Sequence, residues 1–174
     1  MIYEPREDSW LLKKYVEKLA FGKVLDLGTG SGIQVLAASR NTKDVLATDI
    51  NPEAVAAVTA RNIKAIVADL FANINDTFDT IIFNPPYLPE EPHEDLESKV
   101  VTTGGKEGNE ILVRFLQGAK NHLRPKGRIL LVVSSLTKDA FNLFKKFGYS
   151  CQILEEQHIT FETISVCCLA HRKL

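Results

Sequence analysis

The sequence predicts a doubly wound α/β fold, in which helices cover both faces of a mostly parallel, seven-stranded sheet that closes with a C-terminal antiparallel hairpin. Two observations predict it. Short apolar runs of strand length alternate with helical segments along most of the chain, which favours parallel strands joined by helices. The last two apolar runs follow each other without a helix between them, which favours antiparallel pairing. Because the length suits one domain, we expect residues 1–174 to form a single domain with a short N-terminal helix.

The first predicted element is this N-terminal helix, at residues 9–20, where leucine, tyrosine and valine recur every three or four positions. Asp8 or Ser9 is its predicted N-cap, because both side chains accept hydrogen bonds from a first turn. Gly22 follows the predicted end of the helix, where glycine is common.

Two further helices join the strands of the first half of the chain. One is predicted at 33–40, directly after a glycine-rich turn. The other begins with Asn51 as its cap and Pro52 in its first turn, and extends to about residue 62. The strands of this half are predicted at 24–27, 44–49, 65–68 and 78–83.

The second half of the chain begins with a polar, acidic segment at 88–108, which we interpret as a loop. A helix is predicted at 109–122, with Pro125 and Gly127 closing it. The remaining elements are predicted as a strand at 128–133, a helix at 138–147 ended by Gly148, and hairpin strands at 150–157 and 162–170.

Composition excludes several classes of protein. The formal net charge is −1 and the pI about 6.4, so binding of nucleic acid through a strongly basic surface is not expected. No apolar run approaches the ~20 residues that cross a bilayer, and the acidic, polar start does not fit a signal peptide. We therefore expect a cytoplasmic protein without a membrane segment.

The cysteines and histidines do not predict a metal site. Cys151, Cys167 and Cys168 contain no CxxC pair, and no two histidines have the i, i+4 spacing of metal ligands on a helix. We therefore interpret the cysteines as buried structural residues.

Special residues follow each of the first four predicted strands. The first strand leads into the glycine turn at 28–32, and the next three end at Asp49, Asp69 and Asn84. Because the carboxyl ends of parallel strands share one edge of a sheet, we expect these residues to lie close together. Solubility does not require an acid or an amide at successive strand ends, so this pattern predicts a site for a polar ligand.

The glycine turn indicates which ligand this is. Gly28, Gly30 and Gly32 form G-x-G-x-G, which lacks the third glycine of the dinucleotide fingerprint. A carboxylate at Asp26 would repel a pyrophosphate and attract a cation, whereas Asp49 suits ribose hydroxyls. Ribose and a cationic group without phosphate describe S-adenosyl-L-methionine (AdoMet) better than NAD.

The segment Asn84-Pro85-Pro86-Tyr87 is the most informative motif. Each proline fixes its own φ and restricts the residue before it, so the segment is rigid. The side-chain oxygen of Asn84 and the carbonyl of Pro85 can together accept both hydrogens of a planar –NH₂ group, against which Tyr87 can lie. Alignment of such a nitrogen with a methyl sulfonium predicts N-methyl transfer, in which proximity is worth roughly 7–11 kcal/mol.

Together these residues resemble the AdoMet-dependent methyltransferases of the HemK type, which have the class I, Rossmann-like methyltransferase fold. The resemblance covers essentially the whole chain and is strongest to short archaeal and eukaryotic members that methylate a glutamine amide of a translation release factor. Residues 3–9 (Tyr-Glu-Pro-Arg-Glu-Asp-Ser) are similar to the N-terminal signature of that group, and residues 103–108 also match. Asp26 stands where relatives often have glutamate.

The resemblance implies the cofactor and the site residues. AdoMet would be the methyl donor and S-adenosyl-L-homocysteine the product. Asn84 would bind both the target amide and the cofactor side, as part of a catalytic motif with Pro85, Pro86 and Tyr87. The implied cofactor-binding residues are Ser9, Asp26 and Gly28 at the methionine end, Gly30 and Gly32 in the turn, Asp49 at the ribose, Ile50 after it, Asp69 and Leu70 beside the adenine, and Asn84.

The resemblance also implies a partner. The long N-terminal helical domain of the bacterial enzymes has no counterpart in the sequence, so we expect the catalytic domain or a partner to recognise the substrate. In the short group, a small zinc-binding activator protein is implied. Residues 65–68 are expected at the sheet edge, where a partner strand could add; cover by a helix or loop of the chain is the alternative.

The methyl acceptor stays open between amide and nucleobase, because the N-P-P-Y chemistry suits glutamine, adenine N6 and cytosine N4 alike. The acidic segment at 89–97 would repel phosphates and attract a basic protein loop. We therefore expect methylation of the glutamine in the Gly-Gly-Gln motif of a class I release factor, and we do not expect a nucleic-acid substrate. A nucleic-acid base (adenine N6) methyltransferase and a non-catalytic AdoMet-binding subunit are the alternatives.

Overall fold

A computed structural model describes residues 2, 4–86, 88–89, 103–106 and 108–172. The described strands are β1 (Val24–Leu27), β2 (Val45–Asp49), β3 (Ala65–Val67), β4 (Phe78–Phe83), β5 (Leu88–Pro89), β6 (Thr103–Gly105), β7 (Leu123–Ser134), β8 (Tyr149–Ile159) and β9 (Glu162–His171). The described helices are α1 (Glu7–Leu19), α2 (Ile33–Ala38), α3 (Pro52–Thr59), α4 (Glu110–His122) and α5 (Ala140–Lys146).

Seven of these strands form one sheet in the order β3-β2-β1-β4-β7-β9-β8, which confirms the predicted fold. The pairs from β3 to β7 are parallel, whereas β9 is antiparallel to both β7 and β8. The chain moves outward from β1 to the edge strand β3 and then returns to β4 on the other side of β1. This reversal creates a crevice at the carboxyl ends of β1 and β4, where ligands bind in open α/β sheets.

Helices cover both faces of the sheet, and the side chains of β7 alternate between the hydrophobic cores on these two faces. Ile129, Leu131 and Val133 belong to the core beneath α4 and α5, whereas Leu130 and Val132 pack on the other side with α1 and α2. All five side chains are at most 1% exposed. A central strand buried on both faces must therefore be a continuous apolar run, as this one is.

The first helix begins earlier than the sequence predicts. It starts at Glu7, with Arg6 in extended conformation as the N-cap residue and without a capping side chain. The prediction that Asp8 or Ser9 caps the helix is wrong, because both lie inside its first turn and are buried. This difference matters for the site, because a capping side chain points back at its own helix, whereas Asp8 also contacts another element. The cap at Asn51 is confirmed, since its side chain accepts a hydrogen bond from the Glu53 N–H.

The interpretation of 88–108 as a loop is only partly right. Leu88–Pro89 and Thr103–Gly105 form a small parallel sheet, too short for periodicity to predict. Strand β7 begins at Leu123, which pairs with Phe78 before the register shifts to the pairing of Thr80 with Arg128. The predicted closing residues of α4 therefore lie in the irregular first part of a strand. The other predicted helices and strands are found within a few residues of their predicted bounds.

The cysteines differ in their surroundings. Cys167 is buried, Cys168 is half-buried, and Cys151 is exposed on the edge strand β8. The expectation that all three are buried is therefore wrong for Cys151, because β8 leaves most of its side chains exposed. Among the described residues, no helix is both long and apolar enough to cross a membrane.

Candidate functional site

The predicted site residues converge at the carboxyl ends of the parallel strands. Leu27, the last residue of β1, is in register with Phe83 of β4 on one side and with Thr48 of β2 on the other. The glycine turn therefore starts between Asn84 and Asp49, each of which comes one residue after its registered partner. The sequence prediction that these strand ends share one edge is borne out by the register of the sheet.

The glycine turn has a conformation that requires glycine. Gly28, Gly30 and Gly32 have φ values of +63°, +51° and +82°, in the left-handed region that side chains with a Cβ rarely adopt. At Gly32 a Cβ would also lie 2.8 Å from Cγ2 of Val58 in α3. The turn thus brings its backbone close to α3 and leads directly into α2.

Asp26 lies beneath this turn and is 1% exposed. Its Oδ2 accepts hydrogen bonds from the Thr29 hydroxyl (2.7 Å) and the Val35 N–H (3.1 Å). Burial raises the pKa of the carboxyl to about 7, the two hydrogen bonds oppose this, and the charge of Asp49 adds to it. Asp26 therefore holds the turn in place and exchanges a proton near neutral pH, which the sequence could not predict.

Asp49 connects the turn to the next helix. Its Oδ2 accepts the N–H of Gly30 at 2.8 Å, and its Oδ1 accepts the N–H of Asn51 at 2.9 Å. Each carboxylate oxygen keeps a further lone pair for another donor, so these contacts are compatible with the predicted ribose contact. Ile50, which follows, is 57% exposed beside it.

Asp69 and Leu70 stand at the end of β3. Oδ2 of Asp69 accepts a hydrogen bond from Arg114 of α4 at 2.8 Å, and both side chains are about half exposed. Leu70 has φ +51° and packs against the main core. The two residues predicted beside the adenine thus differ in environment: Asp69 is in an ion pair, and Leu70 is an apolar residue in the left-handed conformation.

The N-P-P-Y motif begins with an asparagine whose two amide atoms have different roles. Nδ2 of Asn84 donates to Oδ2 of Asp8 at 3.0 Å and lies 3.4 Å from Oγ of Ser9. Its Oδ1 is buried and accepts no hydrogen bond from any described residue. Pro85 is buried and Pro86 half-buried, whereas Tyr87, the segment 90–102 and Tyr3 of the N-terminal signature lie outside the described residues.

The first turn of α1 completes the site and contributes residues that the sequence analysis missed. Ser9 lies next to Asn84, and Asp8, which the sequence analysis did not place at the site, makes the shorter contact with it. Gln34 of α2 donates from Nε2 to the carbonyl of Ser9 at 2.8 Å, while its own Oε1 is buried without a described partner. Gln34 could have been noticed as the one polar position in the apolar helix Ile33–Ala38.

These residues fit the polar end of AdoMet. The methionine portion of AdoMet carries an ammonium group and a carboxylate beside the sulfonium, so it brings N–H donors and, at the sulfonium, an uncompensated positive charge. Next to Ser9 the site has the buried Oε1 of Gln34, which no described residue pairs with, and beneath the turn it has the carboxyl of Asp26. Burial of unsatisfied acceptors costs stability, so acceptors in this arrangement favour a ligand that donates to them.

Comparison with known proteins agrees with this geometry. The sequence profile of the family described as "Methyltransferase small domain" matches residues 7–161. The chain is 38% identical to the putative protein N5-glutamine methyltransferase MJ0928 of Methanocaldococcus jannaschii, over 95% of this chain and 89% of that protein. It is 34% identical to human methyltransferase HEMK2, over 95% and 87% of the two chains.

Among solved structures, the fold is similar to the E. cuniculi Mtq2–Trm112 complex, described as responsible for methylation of the eRF1 translation termination factor. The TM-score is 0.80, with 28% identity and 99% of each chain covered. The correspondence therefore extends over the sheet and both helical layers.

Proposed function

The chain belongs to the methyltransferase small domain family and, within it, to the HemK-type AdoMet-dependent methyltransferases, and on this premise we propose that it methylates the side-chain amide of the glutamine in the Gly-Gly-Gln motif of a class I translation release factor. The relatives named as glutamine methyltransferases support this acceptor. A translation factor as substrate agrees with a cytoplasmic location.

One observation carries the proposal: Oδ1 of Asn84 is buried and has no hydrogen-bond partner among the described residues. Because its Nδ2 is committed to Asp8, Asn84 can offer a substrate only a hydrogen-bond acceptor. A primary amide presents two N–H donors from one planar nitrogen, so Oδ1 of Asn84 and the carbonyl of Pro85 can hold it in one orientation. A hydroxyl or thiol acceptor has one hydrogen and would be held less completely.

The residues of the chain promote methyl transfer mainly by holding the acceptor nitrogen in position. AdoMet, when bound, supplies an electrophilic methyl group, and the products are S-adenosyl-L-homocysteine, the N-methyl amide and one proton. The rigid proline pair holds the acceptor nitrogen, and the two oxygen acceptors stabilise positive charge that develops there. Because the proton leaves after the nitrogen has become positively charged, no strong general base is required. The residues proposed to hold AdoMet are Ser9, Asp26, Gly28, Gly30, Gly32, Asp49, Ile50, Asp69, Leu70 and Asn84.

The acceptor is tested by offering labelled AdoMet and the protein a release factor, tRNA and DNA in parallel. We expect label in the release factor alone, on the peptide that contains Gly-Gly-Gln, and loss of label when that glutamine is replaced. Label in tRNA or DNA would instead identify a nucleic-acid base methyltransferase. Binding of AdoMet without transfer to any of them would identify a non-catalytic subunit.

The role of Asn84 is tested by Asn84→Ala, with Asn142→Ala as the matched control because Asn142 is exposed on α5. We expect Asn84→Ala to abolish transfer while AdoMet still binds, because the glycine turn and the carboxylates of Asp26 and Asp49 remain in place. Asn142→Ala should keep full activity. Transfer by Asn84→Ala at the wild-type rate would contradict the assigned role.

We also propose that a small zinc-binding activator protein docks on β3. Three features support this: β3 is the edge of the sheet, its Val67 is 52% exposed, and Ile50 nearby is 57% exposed. An apolar edge strand is prone to association unless it is covered, and strand addition would cover it. The similar E. cuniculi protein was solved as a complex with a second protein.

Docking is tested by co-purification with the candidate zinc-binding protein of the same organism. Val67→Lys places a charge on the proposed edge, and Ile153→Lys does the same on β8, the opposite edge, where Ile153 is 45% exposed. We expect only Val67→Lys to lose the complex. A full-activity, AdoMet-binding monomer of the isolated chain would refute the need for an activator.

A further inference from the structure

We propose that Asp8 is a positioning residue for the transfer reaction: it fixes the side-chain amide of Asn84 with the oxygen, and not the NH₂ group, facing the substrate. This inference rests on the proposed function for its activity assay, but its structural part can be tested without any substrate. Asp8 touches neither the acceptor nor the reacting atoms in this scheme and acts through Asn84.

Asp8 is held firmly enough to impose an orientation. It is 3% exposed in the first turn of α1. Its Oδ1 accepts hydrogen bonds from the Ser9 N–H (2.6 Å) and the Ser9 hydroxyl (3.1 Å), and its Oδ2 accepts one from Nδ2 of Asn84 (3.0 Å). Backbone and side-chain donors of Ser9 therefore fix which carboxylate oxygen faces Asn84.

Gln34 braces the same turn from the other side. Its Nε2 donates to the carbonyl oxygen of Ser9 at 2.8 Å, and the side chain is 4% exposed. Since Gln34 follows the glycine turn and Asn84 follows β4, the first turn of α1 is tied to both parts of the site. A shift of the first turn of α1 would therefore break buried hydrogen bonds to Gln34 and Asn84.

A carboxylate at this place selects one of the two orientations of the asparagine amide. The oxygen and nitrogen of an amide have nearly the same shape, so packing alone does not distinguish them. An ionised carboxylate only accepts hydrogen bonds, so a reversed Asn84 would place Oδ1 against Oδ2 of Asp8 with no hydrogen between them. The negative charge also polarises the amide, which strengthens its Oδ1 as an acceptor for a nitrogen that becomes positive during transfer.

The substitution Asp8→Asn reverses this logic. The Ser9 N–H still requires an oxygen, so the new amide turns its oxygen toward Ser9 and its NH₂ toward residue 84. Asn84 then has to reverse, and it presents NH₂ to a substrate that also presents NH₂. We expect kcat to fall by about 100-fold, because loss of one preorganised hydrogen bond to a reacting group typically lowers kcat by about this factor.

Two further variants separate positioning from a structural role. Asp8→Ala leaves Asn84 free to take either orientation, so we expect it to lose less activity than the isosteric Asp8→Asn; a structural role predicts the opposite order.

The double variant Asp8→Asn with Asn84→Asp restores an NH₂-to-carboxylate pair and leaves a carboxylate oxygen toward the substrate. We expect it to recover much of the kcat lost by Asp8→Asn alone.

Asp79→Asn is the matched control. Asp79 lies near the start of β4, where its carboxylate accepts the Lys23 N–H (2.8 Å) and pairs with Arg124 (2.6 Å). The same chemical change there removes contacts of a half-buried carboxylate on the strand that ends at Asn84. We expect reduced stability with an unchanged kcat.

The experiment measures kcat, KM for the release factor and the Kd of AdoMet for these variants, together with the side-chain amide signals of Asn84 by NMR. We expect the kcat order wild type, Asp8→Ala, Asp8→Asn, with KM and Kd changed far less than kcat. The Asn84 amide protons should exchange slowly in the wild type and lose their carboxylate-shifted resonance in Asp8→Asn.

Different results overturn different statements. Equal or greater loss in Asp8→Ala, no recovery in the double variant, or rapid exchange of the Asn84 amide protons in the wild type would overturn the role of Asp8. Absence of methyl transfer by the wild-type protein would overturn the proposed function, and the NMR comparison would still decide on Asp8.

Discussion

Removal of the negative charge at Asp26 by Asp26→Asn should change how the stability of the AdoMet-free protein depends on pH. The folded protein holds this carboxyl at a pKa of about 7, against 3.8 when it is unfolded, chiefly because it is buried. Between these values the folded state binds more protons, so the free energy of unfolding falls as pH rises from about 4 to about 7. The shift corresponds to as much as ~4 kcal/mol.

The variant should lack this component. A neutral amide can keep an oxygen toward Thr29 and Val35, so the turn is preserved without a buried charge. Urea unfolding of both proteins, followed by circular dichroism at several pH values from 4 to 8, gives the difference in free energy of unfolding at each pH. Groups that do not interact with Asp26 contribute equally to both proteins and cancel in this difference. A difference that stays constant across this range would refute the raised pKa and the reasoning from it.

The same carboxyl should couple AdoMet binding to pH. A bound cation favours the ionised form of Asp26, so AdoMet binding below pH 7 requires loss of a proton. Calorimetry should therefore show affinity that rises by up to about tenfold per pH unit until pH 7, with proton release. Asp26→Asn should bind AdoMet more weakly and without this dependence. Parallel pH profiles of the two proteins would show that Asp26 does not sense the cofactor.

Three further outcomes are expected from the packing of the chain. Phe115→Ala should lower the free energy of unfolding by about 3–5 kcal/mol in urea unfolding, because the buried ring stacks 5.8 Å from the ring of Phe71. Gly118→Ala should destabilise by about 1–3 kcal/mol although alanine favours helices, because its Cβ would overlap the Phe71 ring; a rise in thermal midpoint would contradict this. Iodoacetamide should label Cys151 before Cys167, as detected by mass spectrometry. Cys151 is exposed, and its hydrogen bond with Cys167 lowers its pKa. Cys167 is buried, and the same hydrogen bond together with burial raises its pKa.

The fold was predictable because its determinants are local. Alternating strands and helices, the cap at Asn51 and the apolar run of β7 can each be recognised within a short stretch of sequence. Strands that alternate with helices are parallel, and the carboxyl ends of parallel strands share one edge of the sheet. Asp26, Asp49 and Asn84 therefore lie at the same edge. Two-residue and three-residue strands such as β5 and β6 offer no period to detect, and their pairing depends on the tertiary structure.

The sequence predicted which residues stand at the strand ends, but not the hydrogen bonds that they make. Asp8 and Asn84 are 76 positions apart, and no local pattern indicates that their side chains meet. Asp8 was assigned to helix capping because aspartate there usually caps, and the contact with β4 overrides that preference. The raised pKa of Asp26 likewise depends on the burial that only the folded structure creates.

Hydrogen-bond direction and charge at the site together bear on the choice between glutamine and a nucleobase. Either acceptor supplies the –NH₂ that Oδ1 of Asn84 requires, but a nucleobase also brings phosphates, which proteins hold chiefly with lysine and arginine. Beside the glycine turn, Arg61 donates to the carbonyl of Ser31, and beside the adenine position Arg114 pairs with Asp69. Asp69 neutralises the charge of Arg114, and Arg61 is directed at a backbone carbonyl, so neither is arranged around a phosphate; a glutamine side chain needs no such cation. The contacts of these two arginines near the strand ends therefore favour a protein substrate over a nucleic acid.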